Sequence, residues 1–348
     1  MNETSPFLAA CRRQPAAHTP IWVMRQAGRY LPEYRELRAK VTFEELTRRP
    51  DLAAEVTLQP LRRFELDAAI LFSDIMTPVQ GMGVDLEFAP GPVVRHPIRT
   101  DAQIDALPEL VAERDVPFVM ESIRLIRPNL PRGVPLIGFA GGPFTLLCYL
   151  VCGKPSKEFG PARSFLYSQP DSALRLLDKL ADAMAAYLRA QAAAGAQALM
   201  MFESWAGLLA PAQFEEFALR AVRRTMSALR GTGVPLIYYM NQGSALMESV
   251  VDLDVDVIGV DWRSSLSSVR KVLGPAKAVQ GNLDPAALFA SPEELRRQAD
   301  AVLSQAGPNP GHIFNLGHGI WPETNPDAVA RLIDHVHERT SGRREAVS

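Results

Sequence analysis

Leu136-Ile137-Gly138-Phe139-Ala140-Gly141-Gly142-Pro143-Phe144-Thr145-Leu146-Leu147-Cys148-Tyr149-Leu150-Val151-Cys152 is the longest apolar run of the chain, and the fold turns on how it is read. It falls short of the roughly 20 residues a membrane span needs, and Gly141-Gly142-Pro143 interrupts it. A branched and aromatic run, a glycine turn and a proline heading a second apolar stretch read as a buried strand, a turn and the start of a helix. That is the first half of a β-α unit.

The same unit recurs on both sides of it. Short apolar runs stand at 21–24, 68–72, 135–140, 198–202, 235–240, 255–260, 276–279 and 312–314, and the stretches between them are mostly amphipathic. Strands alternating with helices are parallel, because a parallel pair cannot be joined by a tight turn. Eight such units predict an α/β fold, a single (β/α)8 barrel of the TIM type. Thr42-Phe43-Glu44-Glu45 has capping-box spacing, while Pro170-Asp171 and Ser291-Pro292-Glu293-Glu294 set proline and acids into first turns. Between the second and third strands, 84–98 with Gly91-Pro92 at its centre predicts a hairpin insertion, and 116–127 the helix that completes the unit. The barrel occupies one domain, 1–340, and the polar stretch 341–348 is expected to be a disordered tail.

With 348 residues and 47% apolar content, the chain buries a large core. A formal charge of -2 excludes a broad basic face for nucleic acid, so any anion must be held by a few arginines focused in a cleft. Cys11, Cys148 and Cys152 are odd in number and lack the spacing of a zinc site or a disulfide framework, which points to a reducing compartment. Met1-Asn2-Glu3-Thr4 lacks the basic and then apolar profile of a secretion signal, so the expectation is a cytoplasmic protein.

Barrel enzymes keep their chemistry at the carboxyl ends of the strands. Here those positions hold Arg25 and Arg29, Ser73 and Asp74, Glu203 and Ser204, Asn241, Asp261, Asn282 and Asp284, and Asn315 and His318. Arg25 and Arg29 flank Gly28 directly after the first strand, a place suited to anions, since arginine offers a charged planar fork that matches a carboxylate. Each position also has a plainer reading. Asp74 is a turn cap, Ser204 and Asn241 are helix caps, His318 is a turn histidine bonded to backbone, and Tyr149 is a core residue. Glu203 and Asp261 are inner-barrel carboxylates paired with arginines.

The segment Met24-Arg25-Gln26-Ala27-Gly28-Arg29-Tyr30-Leu31-Pro32-Glu33-Tyr34-Arg35 resembles the amino-terminal signature of the uroporphyrinogen decarboxylase family. Phe72-Ser73-Asp74-Ile75, Gly138-Phe139-Ala140-Gly141, Phe202-Glu203-Ser204, Gln280-Gly281-Asn282-Leu283-Asp284-Pro285 and Asn315-Leu316-Gly317-His318-Gly319 continue the likeness in order along nearly the whole chain. The resemblance implies a (β/α)8 barrel that dimerises with its clefts facing, uses no metal or organic cofactor, and removes the four acetate carboxyls of uroporphyrinogen to give coproporphyrinogen. It implies that Arg25 and Arg29 take substrate carboxylates, with the Gln26-Ala27-Gly28 loop between them in contact with substrate. Asp74 becomes the central aspartate, and Tyr149, Ser204 and His318 line the cleft. The chain departs from the family pattern at Leu150-Val151-Cys152-Gly153-Lys154-Pro155, where a Glu-Gly-Gly stretch is usual, and at Asn241, where the fifth strand usually ends near a charged residue.

Other readings predict different chemistry. A corrinoid-dependent methyltransferase shares the barrel but needs histidine and cysteine zinc ligands at strand ends, and no cysteine here follows a late strand. An enzyme of phosphorylated sugars would use the glycines after strands seven and eight and leave the arginines idle. A non-catalytic tetrapyrrole carrier needs the same arginines and differs only in lacking turnover.

Overall fold

A computed structural model describes residues 5–88 and 91–342. Its strands are β1 (Ala69–Ile70), β2 (Leu86–Phe88), β3 (Pro92–Val94), β4 (Leu136–Gly141), β5 (Ala198–Glu203), β6 (Leu236–Met240), β7 (Val257–Gly259), β8 (Ala278–Gln280) and β9 (His312–Ile313). Seven of them form one parallel sheet in the order β1-β4-β5-β6-β7-β8-β9. Every residue of β4, β6, β7 and β8 is buried, as helices on one face and a packed interior on the other require. Gln280 of β8 accepts a hydrogen bond from the Trp22 indole at 2.8 Å, and its amide reaches the Met200 sulfur of β5 at 3.9 Å. Strands that far apart in the sheet meet only across the inside of a barrel, so the interior is filled.

The eighth position is occupied differently from expectation. The run 21–24 forms no strand and contributes a single bridge, Ile21 beside Phe314. Phe314 N–H donates to the Pro20 carbonyl at 2.8 Å on one side, and Asp67 N–H donates to the Ile21 carbonyl at 2.9 Å on the other, which closes the ring. Side chains take the remaining N–H groups: Asp67 accepts from Ile21 at 2.8 Å, Gln26 from Val23 at 3.0 Å, and Asn315 from Met24 at 2.9 Å. An apolar run reports burial but not which acceptor satisfies each donor. For the same reason the runs at 68–72 and 312–314 shorten, and that at 276–279 slides to Ala278–Gln280.

Local signals work as anticipated. Thr42 and Glu45 make both halves of the capping box at the head of Phe43–Arg48, Pro170 opens Pro170–Ala194, and the Ser291 hydroxyl accepts from Glu294 N–H at the head of Pro292–Ala306. In the insertion, β2 and β3 pair antiparallel with Leu86 opposite Val94, and Pro117–Ile126 follows. The short helices Asp101–Ala106 and Ala112–Asp115 lie between, with little apolar surface to announce them. Of the expected tail, residues 343–348 lie outside the described residues. No helix among the described residues is long and apolar enough to cross a membrane, and the three cysteines are free.

Gln26 ties the closing segment to the barrel, because its Oε1 serves Val23 and its Nε2 donates to the Ala68 carbonyl at 3.0 Å. Gln26→Ala orphans both buried groups at about 1–3 kcal/mol each. Thermal and urea unfolding should show a loss of several kcal/mol with KM nearly unchanged; normal stability with a raised KM would make Gln26 a substrate contact instead.

Candidate active site

The polar residues at the strand ends separate into those consumed by the scaffold and those left facing the cleft. Asp261 accepts from the N–H groups of Gln242 and of Arg263, the latter at 2.9 Å, and lies 3.5 Å from the Arg263 guanidinium. Asn282 donates to the carbonyls of Asp261 and Ser264, both at 2.7 Å, and Asn241 to that of Ser204 at 3.2 Å. Asp284 caps Pro285–Phe289 by accepting from Ala286 N–H. These side chains brace loop against loop, with Asn241 Oδ1 left without a hydrogen bond.

Glu203 corrects the reading that made it an arginine partner. It is fully buried, and Oε1 accepts from the N–H and hydroxyl of Thr145 at 2.7 and 2.5 Å, at the head of helix Pro143–Cys152. Its Oε2 is buried without a hydrogen bond. Gly142 makes the room, since a Cβ there would stand 2.2 Å from Oε2. The positive end of the helix attracts the carboxylate, but loss of water dominates and pushes the carboxyl up to about 7.

Arg25, Arg29, Asp74, Tyr149, Ser204 and His318 remain. Arg25 adopts φ 65°, a left-handed conformation that costs a non-glycine residue about 1–3 kcal/mol and persists only where its surroundings impose it. Its side chain lies across Gly319, where a Cβ would come within 2.4 Å of its Cδ. The guanidinium is open to solvent yet walled by protein, as in a cleft: desolvation and then repulsion from Arg29 lower its pKa, while Tyr149, Asp74 and Tyr239 act in the opposite sense. Arg29 itself is exposed.

Asp74 is a turn cap that also feels the charge of Arg25. Oδ1 accepts from Met76 N–H at 2.8 Å, as a turn cap does, and the carboxyl still faces the arginine. Burial raises its pKa, with the Met76 N–H and Arg25 pulling the other way. Tyr149, on the helix that Glu203 anchors, is nearly buried and meets Phe159 and Trp205 edge-on at 5.4 and 6.5 Å. Desolvation raises its hydroxyl, and the charges of Asp74 and Arg25 both reach it; the Trp205 indole N–H lies beside it, short of hydrogen-bond geometry. His318 stands edge-on to Trp262 at 6.1 Å. Desolvation, then the cations of Arg25 and Arg263, press its imidazole down to about 4, so it is neutral at working pH.

Ser204 is half-buried and caps no helix, for Ala206–Leu208 has no side-chain cap. Between the arginines, Ala27 and Gly28 are half-buried, and among the described residues their N–H groups make no hydrogen bond. Gln26 is spent: both ends of its side chain are bonded, and its N–H donates to the Val23 carbonyl at 2.8 Å. Two residues escaped the sequence reading. Arg263 stacks on Trp262 with its guanidinium carbon 3.9 Å from the ring centroid, two positions beyond the last residue considered after the sixth strand. Tyr239, hidden inside an apolar strand run, donates to the Gly317 carbonyl at 2.8 Å. A concavity of about 370 Å³ at the opposite face, lined by Arg13, Thr232, Asp254 and Lys277 among others, contains none of these groups.

The cleft thus offers fixed cations, one carboxylate, a neutral imidazole and two free backbone donors, which suits a polyanion with N–H groups at its centre. The profile of the family described as Uroporphyrinogen decarboxylase (URO-D) matches residues 2–339. The chain belongs to the uroporphyrinogen decarboxylase family. Relatives named uroporphyrinogen decarboxylase include one from Syntrophotalea carbinolica, 48% identical over 98% of this chain and 99% of its own length. Another, from Alkalilimnicola ehrlichii, is 49% identical over 95% of this chain and 93% of its own. Among solved structures, a methyltransferase from Methanosarcina mazei superposes with a TM-score of 0.82, covering 97% of this chain and 99% of that one at 21% identity, which establishes a shared fold alone.

Glu203 supplies a pH signature. The folded carboxyl, at about 7 against an ordinary 4.5, keeps a proton that the unfolded chain has lost, so stability is full below 4.5 and falls as pH rises toward 7. The loss is on the order of 3 kcal/mol. Stability of the parent against unfolding should fall between pH 4.5 and about 7, and Glu203→Gln should flatten that slope; an unchanged slope would place the titrating group elsewhere.

Proposed function

We propose that the chain is a uroporphyrinogen decarboxylase, converting uroporphyrinogen III to coproporphyrinogen III in haem biosynthesis. The observation that carries this reading is a fixed arginine and a single carboxylate, Arg25 and Asp74, in electrostatic contact in one cleft of a family barrel. Electrons released when an acetate loses carbon dioxide need a sink, and a pyrrole protonated at the carbon next to its nitrogen provides one. The acetate C–C bond breaks, its electron pair neutralises the ring cation, and the resulting exocyclic methylene takes up a proton to become methyl while the ring carbon gives its own back. One proton is consumed and one carbon dioxide leaves at each acetate.

Asp74 accepts the pyrrole N–H groups, centres the macrocycle and stabilises the cation as it forms, without reorganising at the moment of reaction. Arg25 and Arg29 bind substrate carboxylates, each charge-assisted bond contributing about 1.5–3 kcal/mol, and the free N–H groups of Ala27 and Gly28 assist them. Arg25, whose acidity is increased by desolvation and by Arg29, delivers the proton directly or through a water it holds. Tyr149, Ser204 and neutral His318 orient the remaining carboxylates as donors that add no charge.

The methyltransferase reading lacks its ligands here. Cys148 is buried with its thiol pKa pushed well up, and the cluster of potential metal ligands found among the described residues lies at the other end of the barrel. A carrier is distinguished by turnover alone. The protein also works as a homodimer with facing clefts: Phe289 and Trp321, 50% and 46% exposed with rings 5.4 Å apart, lie in the segments that follow β8 and β9 and form an apolar pair that a second copy would cover.

Anaerobic incubation with uroporphyrinogen, then oxidation and chromatography, should yield porphyrins of seven to four carboxyls; unchanged eight-carboxyl material with folded protein would sink the decarboxylase reading. Asp74→Asn should fold normally and lose roughly 10²- to 10³-fold in kcat, and unaltered turnover would remove the mechanism. Light scattering should give twice the chain mass, falling to one chain in the double substitution Phe289→Ser with Trp321→Ser; a monomeric parent would refute the dimer.

A further inference from the structure

His18, Asp67 and His337 converge at the end of the barrel away from the cleft, where the strands begin. His18 Nε2 lies 2.8 Å from Asp67 Oδ1, and His337 Nε2 lies 2.8 Å from Asp67 Oδ2. The two imidazoles are neighbours with centroids 4.3 Å apart, and the donor atoms of all three residues fall within 4.8 Å of one another. We infer that these three residues form a binding site for one divalent transition-metal ion, of which zinc is the best match.

The donor set fits that ion. Zinc takes imidazole nitrogen and carboxylate oxygen at about 2.0–2.2 Å in a tetrahedron, which sets neighbouring donors about 3.3 Å apart. The present contacts open to that spacing by about half an ångström. Two imidazoles with one carboxylate leave a fourth position for water, and His18 and His337 keep 21% and 18% of their side-chain surface exposed on that side. Binding needs each imidazole, whose Nε2 now donates to Asp67, to carry its proton on Nδ1 instead and turn the freed Nε2 lone pair to the ion.

The surroundings hold the ligands in place. Asp67 is buried; desolvation raises its carboxyl, but the bonds from His18 and His337 outweigh it and the net shift is downward, so it is ionised. Ile21 N–H donates to Asp67 Oδ2 at 2.8 Å and fixes the carboxylate plane. The Thr340 hydroxyl accepts from Thr19 N–H at 2.9 Å and donates to the Val336 carbonyl at 2.7 Å, which locks the segments bearing His18 and His337 together. Outer contacts of this kind orient ligands in metal sites. The ion would fasten the point where the barrel closes and touch no substrate, so it would add stability without altering chemistry.

The test is calorimetric titration of chelator-stripped, full-length protein with zinc chloride, with native mass spectrometry for stoichiometry. The expected result is one ion per chain, a higher Tm with zinc, and a zinc-independent decarboxylation rate. His18→Gln and His337→Gln keep a hydrogen-bond donor toward Asp67 and should fold, yet each should weaken binding by more than about 10-fold, the least that losing even an outer partner costs. Cys152→Ser should bind zinc as the parent does. Cobalt should give visible d–d bands that vanish in both histidine variants. A stripped parent that takes up no ion, or histidine variants that bind as tightly as the parent, would overturn the inference and leave a hydrogen-bonded brace.

Discussion

The barrel closes through hydrogen bonds made by side chains, and the cleft depends on that closure. A ladder of backbone bonds would have fixed the first segment in full extension, but Asp67, Gln26 and Asn315 take its donors one at a time. The chain is thereby free to turn immediately after Met24. Arg25 lands in its left-handed conformation over Gly319 because both neighbours are held, Met24 by Asn315 and Ile320 by its bond to the Met24 carbonyl at 3.0 Å. The principal cation of the cleft is thus placed by side-chain amides of Gln26 and Asn315.

The electrostatics of the empty cleft are unbalanced in a useful direction. Arg25 and Arg29 repel one another and Asp74 is disfavoured as an anion by burial, so each group is worse off alone than with a partner of opposite charge. A ring carrying carboxylates at its edge and N–H groups, then a cation, at its centre relieves both. His318 is neutral because burial, and then the cations of Arg25 and Arg263, press its imidazole down, so it adds no charge to the cleft. Preorganisation here means that the cost of assembling these groups falls on folding and not on the reaction step.

Periodicity carried most of the fold. Parallel strands buried on both faces are continuous apolar runs, and the glycine turn before Pro143 separated strand from helix without ambiguity. What it could not show was who satisfies whom. Gln26 and Asp261 are polar residues at strand ends like Asp74, and only the bonds they make reveal that they are structural. Glu203 was misread because a buried carboxylate usually has a cation, whereas this one rests on a helix terminus and two bonds from Thr145. Arg263 was missed for lying two residues past Asp261, the last position considered after its strand, and Asp67 for preceding a strand. The resemblance alone singled out Tyr149 and Ser204, which residue type would have assigned to the core and to a cap.

His18 and His337, near the two ends of the described chain, share one carboxylate. The polypeptide is therefore close to a ring in topology, with a seam at Asp67. Linking the ends by a short bridge and opening the chain in some other loop at the floor would keep the same neighbours around the sheet while starting the same cyclic order at a different element. The position of the first residue is then a matter of ancestry, and the architecture would serve as well if it began elsewhere.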